Sequence, residues 1–231
     1  MELQRLISRN NKDVIKVMDL QKTYSNGCKA LENLNFGVEE GQTFCLLGTN
    51  GAGKTTCFEI LTNRISKTSG DIEIEGKNLE DFYKQDSDSK KIGVCSQNNT
   101  LWKNLTIYQH LKIYSKIHGL AREDAEEIIQ YLLDALQFEA YSEQKISELS
   151  MGIQRKLCVA LAVIGGPEIL LLDEPSTGID PVGRNQIWQL IKTVVGAKKA
   201  ATILTTHYMQ EAELVGDKLG KNFWLRKSYL I

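Results

Sequence analysis

Gly48, Gly53, Lys54 and Thr55 follow the spacing G-x-x-x-x-G-K-[ST], and those residue types at those intervals suit a chain of phosphates. Glycine lets the backbone curl until successive N–H groups point inward at an anion. Within Gly48-Thr49-Asn50-Gly51-Ala52-Gly53-Lys54-Thr55-Thr56, the Lys54 ammonium would reach the β and γ phosphates of a nucleotide and the Thr55 hydroxyl would face Mg²⁺. A helix beginning near Gly53 would aim its positive end at the same phosphates. A second chemical group stands far along the chain, where Leu170-Leu171-Leu172 runs into Asp173-Glu174-Pro175. Asp173 would hold Mg²⁺ through water, and Glu174 would polarise a water attacking the γ phosphorus in line with its leaving oxygen. Together the two groups describe hydrolysis of a nucleoside triphosphate.

These groups must be carried by elements that bring them to one edge. The apolar run Thr43 to Leu47 predicts a strand entering the glycine loop, with a helix over 53–64 leaving it. Glu168 to Leu172 reads as a strand buried on both faces of a parallel sheet, which places Asp173 and Glu174 at the carboxyl edge where the loop opens. Val14 to Val17, Leu34 to Val38 and Asp71 to Ile74 read as further short strands, making the first lobe strand-rich. Residues 77–91 are polar and predict loop and short helix. The middle is helical: a capping box at Thr106 and Gln109 opens a helix ending near Gly119, a second runs from Glu123 to about Phe138, and a third from Gly152 to Ile164. Asp180-Pro181 caps a helix extending to Gly196, and Ala201 to Thr205 is another buried strand. Strands alternating with helices imply a right-handed α/β core. Residues 1–12 show little periodicity and predict a loosely ordered lead-in.

Bulk properties narrow the partners. Across 231 residues, 28 basic and 29 acidic side chains give a net charge of −1, without the basic footprint of a nucleic-acid binder. Five cysteines, Cys28, Cys45, Cys57, Cys95 and Cys158, show no metal spacing and read as reduced, mostly buried thiols. Cys45 and Cys57 flank the phosphate loop and are expected to be small core residues. No apolar segment approaches the roughly 20 residues that cross a bilayer.

Between the two chemical groups lies Leu149-Ser150-Met151-Gly152-Ile153-Gln154-Arg155-Lys156. Here the chain resembles the ABC-type ATPases, whose signature Leu-Ser-Gly-Gly-Gln stands just upstream of the Asp-Glu strand. Tyr24 in Lys-Thr-Tyr sits where that family stacks a ring on adenine, Gln97 matches its Mg²⁺-sensing glutamine, and His207 in Thr-Thr-His matches its switch histidine. Ser176-Thr-Gly-Ile-Asp180 matches the loop after the catalytic glutamate. The wording of Ile164-Gly-Gly-Pro-Glu, Asp-Glu-Pro-Ser-Thr-Gly-Ile-Asp-Pro and His207-Tyr-Met-Gln-Glu-Ala-Glu213 is similar to the A subfamily, the lipid-exporter type. The resemblance implies an α/β fold: a P-loop NTPase core with an antiparallel β subdomain and an α-helical signature subdomain over about 98–160, in one cassette spanning 13–217. It implies ATP and Mg²⁺ as ligands, with Thr55, Gln97 and Asp173 at the metal and Lys54, Glu174 and His207 in hydrolysis. Two cassettes would pack head to tail, so that Ser150 and the Gly152 N–H contact the γ phosphate on the partner's loop. Transmembrane domains, fused or separate, would hold the pair at the cytoplasmic face of a membrane, and Trp102 and Leu105 are candidates for touching them.

Two departures stand out against that resemblance. Met151 replaces the first glycine of the signature, which adds bulk where a phosphate is expected, while Ile153 stands in place of its glutamine, as is ordinary for the A subfamily. After Gly220 the residues Lys221 to Ile231 do not follow the family's strand-turn-strand, so 218–231 reads as an atypical, truncated tail beside an exposed sheet edge. A soluble ABC protein acting on chromosomes would carry a coiled coil between Lys54 and Ser150, and one acting on ribosomes two cassettes with basic linkers; one cassette with a neutral balance argues against both. A GTPase or small-molecule kinase lacks the Leu-Ser-x-Gly segment. A soluble non-transport ABC ATPase and a hydrolysis-deficient ATP-binding module stand as the alternatives.

Overall fold

The computed structural model describes residues 2–7, 12–85 and 91–220. Two sheets form its frame. The antiparallel one has the order β2-β1-β4-β5, from β1 (Asp13–Thr23), β2 (Lys29–Glu39), β4 (Ser69–Ile74) and β5 (Lys77–Asn78). The parallel one has the order β6-β7-β8-β3-β9, from β3 (Thr43–Leu47), β6 (Ile92–Cys95), β7 (Ile169–Asp173), β8 (Ala201–Thr206) and β9 (Lys218–Leu219).

Side-chain alternation along the parallel strands explains why both faces are covered. In β3, Phe44 and Leu46 enter the core between the sheets, while Cys45 and Leu47 enter the core on the other side. β7 repeats this, with Ile169 and Leu171 facing one way and Leu170 and Leu172 the other. Phe36 of β2 stacks on Phe44 of β3, ring centroids 4.3 Å apart, and closes the layer between the sheets. The helix α2 (Lys54–Leu61) fills the same layer with Cys57, Phe58, Ile60 and Leu61.

The opposite face is covered by helices α4 (Ile107–Ile117), α5 (Arg122–Ala135), α6 (Met151–Val163), α7 (Pro181–Lys198) and α8 (Met209–Val215), while α3 (Leu79–Lys84) packs beside β4 and β5. The capping box at α4 is formed: Gln109 N–H donates to the Thr106 hydroxyl at 3.2 Å, and Thr106 N–H to Gln109 Oε1 at 3.0 Å. Asp180 accepts from the N–H groups of Val182 and Gly183, both at 3.1 Å, with Pro181 at the first turn of α7. α6 is pressed against β6, because a Cβ on Gly93 would lie 1.9 Å from the Ala162 carbonyl.

The lead-in differs from the sequence expectation over residues 2–7, which form the helix α1 (Glu2–Ile7). Leu6 is buried at 1% exposure beside Gly37, and Arg5 pairs with the buried Asp13 carboxylate at 3.0 Å. The buried Leu6 and the Arg5–Asp13 ion pair help anchor a segment too short to show periodicity. β6 has no counterpart among the strands expected from the sequence; its four residues follow the polar stretch 77–91 and are interrupted by a glycine. Just before the tail's departure, Lys218 and Leu219 pair in parallel with Phe44 and Cys45. The rest of the tail, 221–231, lies outside the described residues.

Candidate nucleotide site

β3 delivers the chain to the glycine loop, and Gly48 N–H is held by the Thr206 carbonyl at 3.2 Å. Gly51 and Gly53 have φ of 81° and 90°, a left-handed backbone that strains other residues. At Gly53 space forbids a side chain too, because a Cβ would stand 2.5 Å from the Ala30 carbonyl. The loop is thus curled against β2 before α2 begins at Lys54.

Lys54 is buried at 4% exposure. Its ammonium donates to the carbonyls of Gly48 at 2.8 Å and Thr49 at 3.2 Å, and lies 3.5 Å from Glu174 Oε1. Asp173 ends β7 almost fully buried, and burial raises the pKa of its carboxyl, opposed by hydrogen bonds from the hydroxyls of Thr205 and Thr55. Those bonds favour the carboxylate that would be needed beside a cation.

Glu174 leaves the strand with φ of 48°, unusual for a residue with a side chain. Its N–H donates to the Thr205 carbonyl at 3.1 Å and Thr205 Oγ1 at 3.0 Å. The turn points its carboxylate back across the sheet edge, where Oε2 accepts from the Thr177 hydroxyl at 3.2 Å and lies 3.3 Å from His207 Nδ1. One carboxylate therefore meets Lys54 from the loop and His207 from the end of β8.

A cleft of about 370 Å³ opens over these groups, lined by Tyr24, Asn50 to Thr56, Gln97 and Glu174, with Cys28, Lys29 and Ala30 on its outer wall. The Tyr24 hydroxyl is 3.1 Å from Thr56 Oγ1, which sets the ring beside the loop. Gly48 and Thr49 contribute through the Lys54 bonds and His207 through Glu174, while Asp173 lies at the end of β7 just before Glu174. Ser150 and Gly152 do not line this cleft. They begin α6, where the Ser150 hydroxyl caps the helix by accepting from Ile153 N–H at 3.3 Å. Met151 beside them is 69% exposed.

Buried cysteines agree with the expectation for Cys45 and Cys57: burial pushes the Cys45 thiol up to about 12 and raises that of Cys57 as well. Cys28 is exposed instead. Two residues that the sequence reading did not single out touch the site. Thr205 binds both carboxylate-bearing residues, and Arg155, 3% exposed, donates to the carbonyls of Gln97 at 3.0 Å and Glu174 at 2.9 Å. Their signal in the sequence is a hydroxyl inside an apolar strand and a guanidinium inside an apolar helix, each a polar group where water is excluded.

Comparison with known proteins gives the same picture. A family model described as ABC transporter matches residues 31–177. ATP-binding cassette sub-family A member 10 and the cholesterol transporter ABCA5, both of Homo sapiens, are each 41% identical over 190 residues, covering 82% of this chain. The chain spans only 12% of the length of either relative. Among solved structures, the ATP-binding subunit of an ABC transporter superposes with a TM-score of 0.79 at 26% identity, covering 89% of this chain and 84% of that one. A dimeric ATP-binding cassette bound to ADP and Pi in a post-hydrolysis state gives 0.76 at 26% identity, covering 89% of this chain and 92% of that one.

Proposed function

This chain belongs to the ABC transporter family, and from that premise we propose that it binds and hydrolyses ATP as the motor cassette of a transporter. The observation that carries the reading is the position of the Glu174 carboxylate, 3.5 Å from Lys54 and 3.3 Å from His207 at the floor of the cleft. Lys54 neutralises the phosphates, and the loop N–H groups of Asn50 to Thr56 wrap them. Tyr24 stacks on the adenine. Glu174 holds the attacking water and accepts its proton, while His207 stands beside that carboxylate and meets the γ phosphate.

Mg²⁺ fits the donors present. Thr55, Asp173 and Gln97 offer oxygen atoms, with Thr55 and Gln97 lining the cleft. When bound, the ion would neutralise charge on the β and γ phosphates.

Ser150 and Gly152 stand away from their own cleft, which supports a head-to-tail pair in which each signature serves the partner's nucleotide. Among the described residues no helix is long and apolar enough to cross a membrane, so the substrate path belongs to transmembrane domains outside these residues. They would place the cassette at the cytoplasmic face, with Trp102, 52% exposed, near the contact. Lipid is the substrate class we infer, from relatives that include a cholesterol transporter.

Glu174→Gln tests the assignment. Turnover should fall by about a thousandfold while ATP binding survives, because the amide cannot take the proton but keeps the shape. Equal turnover by variant and wild type would remove Glu174 from hydrolysis.

A further inference from the structure

A guanidinium taken out of water needs compensation, commonly from a carboxylate. Arg155, in the middle of α6, spends its fork on backbone oxygens instead. Nε donates to the Pro175 carbonyl at 3.2 Å, and Nη2 to the carbonyls of Asp173 and Glu174, the latter at 2.9 Å. Nη1 donates to the carbonyls of Ser96 and Gln97, the latter at 3.0 Å, with Asn99 Oδ1 at 3.4 Å. One side chain thereby joins two segments far apart in sequence, and those segments present Gln97 and Glu174 to the cleft.

The Glu174 peptide is held from both sides. Its N–H is fixed by Thr205 and its carbonyl by Arg155, while its φ of 48° keeps it in a conformation that an unrestrained glutamate would leave. A shift of the Gln97 loop or of α6 pulls on the same guanidinium. Lysine could not replace it, because a single ammonium lacks the planar fork that spans this many carbonyls.

We propose that Arg155 is a positioning residue, the strut through which displacement of α6 or of the Gln97 loop reaches the backbone that aims Glu174. The proposal rests on the reading of Glu174 as the hydrolytic carboxylate. Arg155 does not line the cleft, so it governs the aim of that carboxylate and leaves ATP affinity to the loop.

Amide hydrogen exchange on the 231-residue chain without nucleotide reads the strut directly. In Arg155→Lys, exchange over 96–99 and 173–176 should rise together by about tenfold or more, while β1 and β2 keep wild-type rates. The Kd for ATP should stay within about threefold and kcat fall by about tenfold or more, the split expected of a misplaced group. Unchanged exchange in both segments, a rise in one without the other, or equal losses of affinity and kcat would each overturn the proposal. A wild type without turnover counts against the hydrolysis reading alone, and the exchange arm still decides the strut. If Arg155→Lys fails to fold, nitrogen-15 NMR of the wild type supplies a second arm. The Arg155 Nε–H should exchange far more slowly than in free arginine and shift on adding a non-hydrolysable ATP analogue with Mg²⁺. Exchange at the free-arginine rate overturns the strut.

Discussion

The cleft and the tip of α6 are built in opposite ways. Around the cleft, Lys54, Asp173 and Glu174 are 4%, 1% and 6% exposed and bonded within the chain, whereas Met151 at the tip is 69% exposed. Glycines repeat the contrast. A Cβ on Gly53 would meet the Ala30 carbonyl at 2.5 Å, but one on Gly152 finds its nearest neighbour at an ordinary 3.7 Å. Glycine at 53 is explained by this chain's own packing; glycine at 152 is not, as the proposed head-to-tail contact would have it.

The largest effect should come from the enclosed side. Lys54→Ala is expected to weaken ATP binding by about a hundredfold, near 2.7 kcal/mol, by removing the buried cation. Titration calorimetry giving an unchanged Kd would mean that the enclosed cluster is structural. Next is Gly93→Ala, which drives a Cβ into the Ala162 carbonyl and should destabilise the fold by about 2–3 kcal/mol. Denaturant unfolding with an unshifted midpoint would show that the body of α6 is not seated tightly on β6. Tyr24→Ala should weaken ATP binding by about tenfold, the scale of one aromatic-base stack. A loss equal for ATP and for inorganic triphosphate would refute adenine stacking. At the tip, Gly152→Ala should leave stability within about 0.5 kcal/mol, while turnover of the assembled pair falls by about tenfold. A drop in melting temperature without loss of turnover would reverse the contrast. Smallest is Met151→Gly, expected to raise turnover of the pair by about threefold through relief of bulk near the phosphate. An unchanged rate would make Met151 neutral.

Elements with punctuation were legible in the sequence: Thr106 and Gln109 announced α4, Asp180-Pro181 announced α7, and the apolar run ending in Asp173 announced β7. Such signals are local, since a cap or a turn is satisfied by residues a few places away. β6 escaped because Gly93 breaks a short run, and its reason is the Ala162 carbonyl packed against it from a distant helix. Leu6 likewise packs beside Gly37, a residue far along the chain. In the site, Lys54, Asp173 and Glu174 could be read from spacing. Thr205 and Arg155 stand out in the sequence only as polar residues in apolar elements; their partners, the Asp173 carboxylate and Glu174 N–H for Thr205 and a set of carbonyls for Arg155, are brought to them by the fold.

The distribution of thiols has a practical side. Burial holds four cysteines out of reach, with Cys95 pushed up to about 11 and Cys158 to about 12, while Cys28 stands exposed on the wall of the cleft. The protein therefore carries its own single attachment point for a maleimide dye. A fluorophore placed there, without any engineered cysteine, would lie beside an arriving nucleotide and report its binding in real time.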